Sequence, residues 1–287
     1  MRNKRCDATR IRNLDGFHSI VPYIMPKRTE AEVSSHELFD LTTLMQYIRA
    51  RNETENAGLK LFHALVTSIA KTIHHRPKMN IFIAGKRFWH RKDILMSFVV
   101  KRKFEDNSEE SLMCLKVDPE MNLDSVSRLI RGDVDKVRKE NTNDLGKTMD
   151  FIGKLPRCIL SVLFGFLRIL EYFGIMPASL MKGDPNYSTV LLSNLGSIGA
   201  GAPYHHLSNY GTCSMMVTIG TLHPETRTEA DGTTREHEML DITFTLDERI
   251  ADGFYFARSL KLTRWLLEHP EELMKKISDP VPEEVFS

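Results

Sequence analysis

The run Leu246-Asp247-Glu248-Arg249-Ile250-Ala251-Asp252-Gly253 sets two carboxylates, Glu248 and Asp252, four positions apart. It lies between a strand-like run at 239–246 and a helix-like run at 254–267. A glutamate with its usual pKa of about 4.3 is a weak base. It becomes an effective one only where burial raises that value to about 6–7. Arg249, next in sequence, would oppose such a rise, and a plain Glu248–Arg249 ion pair is the competing reading. A second group of candidates follows the strand-like run 189–195. Gly196, Gly199 and Gly201 form a flexible turn after it. The adjacent imidazoles of His205 and His206 come next. Histidine titrates near neutral pH, so either could move a proton, although a polar surface pair is the blander alternative. His74 and His75 read as favourable groups at a helix C-terminus. Cys213 reads as a small core residue. The glycines match neither a phosphate loop nor a dinucleotide fingerprint.

The elements that must position these residues alternate between helix and strand. Residues 1–35 are polar and basic, contain Pro22 and Pro26, and read as an extended arm. Leu41, Leu44, Met45 and Ile48 recur at helical spacing. Residues 60–75 form an amphipathic helix on Leu61, Leu65, Ile69 and Ile73, stopped by Pro77. Strands are predicted at 80–84, 94–104 and 112–117, the second ending in Lys101-Arg102-Lys103. That cluster reads as a solvated strand end, or as a contact for anionic phosphates. Asp124 is the predicted N-cap of a helix carrying Leu129, Ile130, Val134 and Val137. Asp231-Gly232 predicts a hairpin between strands at 213–222 and 239–246. The last helix, 254–267, is followed by a short one at 271–277.

Composition narrows the class. The chain has 287 residues, 41% hydrophobic and 27% charged, with a formal charge of +1. That is ordinary for a globular protein and gives no net field toward nucleic acid. Four cysteines are too widely spaced for a metal site, and a disulfide framework is not expected in a chain of this size. No apolar segment follows the basic N-terminus, so no signal peptide is read and a cytoplasmic setting is expected. Residues 158–176 are almost wholly apolar, broken by Arg168 and Glu171. A buried or surface-apolar helix is the leading reading, with a weak interfacial membrane contact through 158–176 behind it and a bilayer span last.

The ordered motifs resemble the chloramphenicol acetyltransferase and dihydrolipoyl acyltransferase superfamily. The 247–253 run is similar to its Asp-His-Arg-Val-x-Asp-Gly signature, with Glu248 in the place of the catalytic His. Leu192-Ser193-Asn194-Leu195-Gly196-Ser197-Ile198-Gly199 is similar to its Ile-Ser-Asn-Leu-Gly-x-x-Gly segment. Pro77-Lys78-Met79-Asn80 is similar to its Pro-x-Leu-Asn stretch, and Lys92-Asp93-Ile94 enters a strand in the same way. The resemblance covers roughly residues 35–140 and 185–277. It implies an α/β two-layer sandwich with a mixed sheet, trimer-forming, with the active site between subunits. The chain then reads as a single acyltransferase-like domain over 1–287, with an apolar helical insertion at about 151–181.

The resemblance also implies roles. A coenzyme A thioester would be the acyl donor and a small hydroxyl or thiol compound the acceptor. Glu248 would stand as general base, unless His205 or His206 supplies it. Ser193 would stabilise the oxyanion, with Asn194 as the other register. Asp252 would order the site by an ion pair with an N-terminal arginine, Arg12 or Arg28, and Gly253 would permit the turn into the helix. No lipoyl domain precedes the core, so a stand-alone enzyme is expected. The rival, favoured by the His-to-Glu change, is a catalytically silent trimeric binding protein.

Overall fold

Strand pairs with one apolar face need helices on that face. The computed structural model, which describes residues 5–101, 110–139 and 152–286, supplies them. The strands are β1 (Ala8–Arg10), β2 (Glu32–Asp40), β3 (Ile81–Ala84), β4 (Arg87–Arg91), β5 (Ile94–Lys101), β6 (Glu110–Val117), β7 (Val190–Asn194), β8 (Met215–Thr228) and β9 (Thr234–Asp247). The helices are α1 (Gly16–Ile24), α2 (Thr42–Glu55), α3 (Leu61–His75), α4 (Leu123–Lys139), α5 (Arg157–Phe173), α6 (Ala178–Met181) and α7 (Gly253–Glu268). A six-stranded mixed sheet runs β2-β9-β8-β7-β5-β6, and a three-stranded sheet runs β1-β4-β3. β7 is parallel to both its neighbours, and the other pairs are antiparallel. The predicted hairpin at Asp231-Gly232 joins β8 to β9, with Gly232 at φ 80°.

The large sheet has two unlike faces. On one, Leu192, Val217, Ile219, Ile242, Phe244 and Leu246 are buried in the main core with Ile69 and Ile73 of α3 and Leu262 and Leu266 of α7. α3 is buried on more than the one stripe expected of an amphipathic helix. Thr67, Ser68 and Lys71 are also sealed, with the Lys71 ammonium donating to the carbonyls of Glu272 and Lys276 at 3.0 and 3.1 Å. On the opposite face, Ser193, Thr218, Thr243 and His36 form one row across β7, β8, β9 and β2. This row is polar, and the loop 199–212 covers part of it.

Several sequence expectations are corrected by local chemistry. The N-terminal arm is not extended throughout, because Asp15 caps α1 by accepting from the His18 amide at 2.8 Å. α1 then buries Val21 and Pro22. The cap of α4 is Asn122 rather than Asp124. Asn122 Oδ1 accepts from the Ser125 amide at 3.1 Å, and Ser125 Oγ accepts from the Asn122 amide at 2.7 Å. Asp124 sits in the first turn and faces Arg51 at 3.3 Å. β1, β2 and β4 are additions to the predicted strands, and the short helix predicted at 271–277 is a 3-10 turn, Pro270–Leu273. Arg102 and Lys103 lie outside the described residues.

The apolar segment does form a helix, α5; its spacing predicts Leu155, Ile159, Leu163, Phe166 and Leu170 on the buried face, and only part of that row turns inward. Leu163, Leu167 and Leu170 are half-buried, whereas Ile159 and Phe166 are 48% and 54% exposed. The docking is set by its C-terminal end. Glu171 pairs with the buried Arg5, Gly174 packs on Trp89, and Gly85 at φ 58° lies so close to the Tyr172 carbonyl that a Cβ there would sit 1.9 Å away. Among the described residues, no helix is long and apolar enough to cross a membrane.

His63 in α3 gives the core a pH dependence. Its Nδ1 accepts from the Lys60 amide at 3.2 Å and lies 2.8 Å from Ser127 Oγ, and burial lowers its pKa to about 4. The unfolded chain therefore takes up this proton first. The associated stability is complete above about pH 6.5 and is lost as pH falls toward 4. Urea denaturation of the parent and of His63→Gln should show a shallower loss between those pH values in the variant. Equal slopes would remove His63 from the account.

Candidate functional site

The end of β9 is held by a buried ion cluster. Asp247 is fully buried and takes a two-pronged contact from Arg249, Nε to Oδ1 at 2.7 Å and Nη2 to Oδ2 at 2.6 Å. Arg249 Nη1 also donates to the Met25 carbonyl at 2.6 Å. Arg28 approaches from the segment after α1, with Nε 3.8 Å from Asp247 Oδ2, while its Nη atoms donate to the carbonyls of Ser208 and Gly211. Burial lowers the Arg28 pKa, and Asp247 opposes that. The cluster thus joins the N-terminal segment, the end of β9 and the loop 199–212.

Glu248 sits between the two members of the tight pair and faces the other way. Its amide donates to the Ala31 carbonyl at 2.8 Å, so the backbone is clamped, yet its side chain is exposed. The Glu248–Arg249 ion pair expected as the plain alternative does not form, because Asp247 occupies the guanidinium. Among the described residues, one copy therefore supplies neither a buried pocket nor a cation for the Glu248 carboxylate.

Asp252 is exposed and is the N-cap of α7, accepting from the Tyr255 amide at 2.8 Å. That bond, with Lys78 nearby, lowers its pKa. The N-terminal arginine expected to pair with it lies elsewhere: Arg28 faces Asp247, and Arg12 is exposed. Asp247 wins because it is buried where a guanidinium needs a counter-charge, whereas Asp252 is already engaged by the helix N-terminus. Gly253 opens α7 with nothing within 4 Å of a built Cβ, so no close approach within the chain demands glycine there.

Ser193 is half-buried and points to the polar face, in the row with Thr218 and Thr243. Asn194, the other register, belongs to the opposite face and lines a cavity of about 190 Å³ with Leu61, Phe62 and Leu65 of α3. The sheet itself separates the two candidates. Gly196 is required beside them, since a Cβ would lie 2.0 Å from the Gly220 carbonyl.

His205 and His206 lie on the loop that crosses the polar face. Thr243 Oγ1 donates to the Ala202 carbonyl at 2.7 Å, and the Leu207 amide donates to Glu32 at 2.9 Å. Both imidazoles are exposed, with ring centroids 5.2 Å apart. Among the described residues, none of Ser193, Glu248, Asp252, His205 and His206 hydrogen-bonds to another through side chains. Strand geometry puts the Ser193 and Asp247 backbones roughly 17 Å apart. Within one copy, Ser193 and Glu248 cannot serve the same reacting atom.

Sequence reasoning missed the buried set Arg5, Arg91, Asp247 and Arg249. Asp247 and Arg249 flank the residue singled out, and an Asp-x-Arg spacing at a strand end was the available signal. Arg91 donates to the carbonyls of Tyr187 and Thr212 at 2.8 and 2.7 Å, with its pKa lowered to about 10 by burial.

This fold and this polar-faced sheet define the chloramphenicol acetyltransferase-like architecture. Residues 178–275 match the family model described as 2-oxoacid dehydrogenases acyltransferase (catalytic domain). A probable dihydrolipoamide acetyltransferase from Listeria monocytogenes superposes with a TM-score of 0.58 at 15% identity, covering 91% of this chain and 95% of that one. The Azotobacter vinelandii dihydrolipoamide acetyltransferase, in which the catalytic roles of a serine, a histidine and an asparagine were investigated, gives 0.59 at 16%, covering 92% and 93%. A chloramphenicol acetyltransferase gives 0.56 at 13%, covering 93% and 100%. No curated protein sequence matches the chain. The chain therefore has the fold of these acetyltransferases, and 178–275 carries the acyltransferase catalytic-domain pattern.

The two acids at this site should differ in what their removal costs. Asp247→Ala leaves Arg249 buried without its partner and should cost about 3–5 kcal/mol. Asp252→Ala removes only a helix cap and should cost about 1 kcal/mol. Chemical denaturation measures both, and similar losses would mean that the buried pair is not the anchor.

Proposed function

We propose that the protein is an acyltransferase that moves an acyl group from a coenzyme A thioester to a small hydroxyl or thiol acceptor, and that it works as a symmetric homotrimer. The separation of Ser193 from Glu248 within one copy carries this reading. A second copy that brings its Ser193 toward the first copy's Glu248 restores the distance and also covers the exposed carboxylate. In the A. vinelandii enzyme, the histidine and asparagine stand four positions apart, as Glu248 and Asp252 do here. Solved relatives include the cubic core of a pyruvate dehydrogenase complex, so the fold supports closed assemblies.

In this reading Glu248 accepts the proton of the acceptor hydroxyl or thiol as its oxygen or sulfur attacks the thioester carbonyl. Ser193 donates a hydrogen bond to the resulting oxyanion. Collapse breaks the carbon–sulfur bond, and the proton passes from Glu248 to the leaving thiolate. Burial between copies would give the Glu248 carboxylate the water-poor surroundings that a general base needs. His205 or His206 is the other source of the base. We place the reaction in a reducing, cytoplasmic setting, consistent with four free cysteines.

The exposed Glu248 in the place of histidine favours a second reading, a catalytically silent trimer that binds a ligand. Four variants separate the two. Glu248→Gln should lower transfer by about 10²–10⁴-fold with assembly intact, because the amide keeps the shape but takes no proton. If His205→Ala or His206→Ala is severe and Glu248→Gln mild, the base is a histidine. If only Glu248→His transfers, the natural chain is the silent homologue.

Assembly is tested separately. Light scattering should give about three times 33.0 kDa. A monomer would remove the shared site, since one copy keeps Ser193 and Glu248 apart.

A further inference from the structure

The helix that interrupts the acyltransferase pattern roofs a cavity of its own. About 300 Å³ lies between α1, the β3–β4 turn, α5 and residues 209–211. Its walls are apolar, from Ile83, Leu167 and Met176. Its floor is polar and incompletely satisfied. Tyr187 is 4% exposed and Arg28 5%, yet the Tyr187 hydroxyl, Arg28 Nε and Glu171 Oε2 are buried with no hydrogen-bond partner among the described residues. Tyr187 lies beside Glu171 and Tyr210, and burial with that carboxylate pushes its pKa up. All three residues line the cavity. Buried polar atoms in folded proteins are almost always paired, so the unpaired Tyr187 hydroxyl and Glu171 Oε2 at one space point to an occupant.

Charge at the mouth selects among occupants. Lys27, Lys86 and Arg168 line it and are exposed. Lys27 is shared with Glu30 at 3.3 Å, and Lys86 rests over the Tyr23 ring at 4.2 Å. Arg168 has no partner among the described residues. The one carboxylate in the lining, Glu171, is already paired with Arg5, and Arg249 is neutralised by Asp247. The mouth therefore favours an anion.

The floor offers one acceptor in Glu171 Oε2 and, in Tyr187, a hydroxyl that both donates and accepts, while Arg28 Nε faces Asp247 Oδ2 at 3.8 Å. A ligand hydroxyl donates and accepts in the same way. We propose that this cavity binds a small hydroxylated organic anion, with its charged group at Lys86 and Arg168 and its hydroxyls on Tyr187 and Glu171. The Glu248 side chain does not line the cavity, so binding here stands or falls apart from the transfer reaction.

Calorimetric titration of the full chain, without any thioester, tests this. The probes are glucose 6-phosphate and gluconate, with glucose and inorganic phosphate as controls. At least one of the two hydroxylated anions should bind at one per chain and more tightly than both controls, and which one does separates phosphate from carboxylate. Lys86→Ala with Arg168→Ala should weaken it roughly tenfold or more, as expected for charged hydrogen bonds. Tyr187→Phe should also weaken it, yet leave the melting temperature of the free protein unchanged or raised, because it deletes an unpaired buried hydroxyl. The proposal is overturned if neither anion binds, as when water or a second copy fills the space. It is equally overturned if glucose or inorganic phosphate binds as well as the anions, or if Tyr187→Phe lowers the melting temperature without affecting binding.

Discussion

The buried pairing of Asp247 with Arg249 is the constraint on which the rest of the site depends. A carboxylate at 0% exposure survives only with its charge matched and its oxygens bonded. Arg249 does this within one turn of backbone, and Arg28 adds a second guanidinium from the N-terminal segment. Because Asp247 and Arg249 are committed inward to each other, Glu248 between them is left facing out. The same cluster fastens the loop carrying His205 and His206 through the Ser208 and Gly211 carbonyls. One electrostatic requirement thus orients three separate stretches of chain.

The second constraint is the two-faced sheet. Its helix-covered side is filled with Leu192, Val217, Ile242 and Phe244, and this apolar layer fixes the register of β7, β8 and β9. A slip of one residue would exchange the faces, so burying those residues obliges Ser193, Thr218 and Thr243 to face the other way. That places a serine on a polar surface with a close loop above it, and places Asn194 in a different cavity beyond the sheet. Hydrophobic packing on one face therefore decides which polar residue is available on the other.

α5 shows how an apolar segment can be docked without being buried. None of its residues is buried, and its hold on the body comes from Glu171 with Arg5, from Gly174 on Trp89, and from the contact of Gly85 with Tyr172. The charges that count against a membrane span divide the work. Glu171 turns in to Arg5 and the cavity floor, while Arg168 turns out to the cavity mouth. The cavity exists because a polar anchor, rather than a continuous apolar seam, sets the height of the helix above the β3–β4 turn.

Much of the architecture is local in origin and legible in the sequence. Alternation in 215–219 and 240–246, the Asp-Gly turn between them, the i+4 repeat of α3 and the ordered motifs around Ser193 and Asp252 specify an α/β sandwich of the acetyltransferase type. Periodicity and turn chemistry act between near neighbours, which is why they can be read from order alone. The partners of charged side chains cannot. Arg28 chose Asp247 over Asp252 because burial, set by residues more than 200 positions away, made one acid need a cation and left the other to cap a helix. The inward face of α5 departs from its own periodicity for the same reason, since Arg5, Gly85 and Trp89 decide it from outside the segment. The sequence by itself determined most of the helices and strands and the mixed α/β class, and it named the candidate residues. Only the tertiary structure decided that Glu248 faces outward, that Ser193 lies too far from it in one copy, and that α5 encloses a polar cavity, because those outcomes depend on which distant groups share a buried, low-dielectric space.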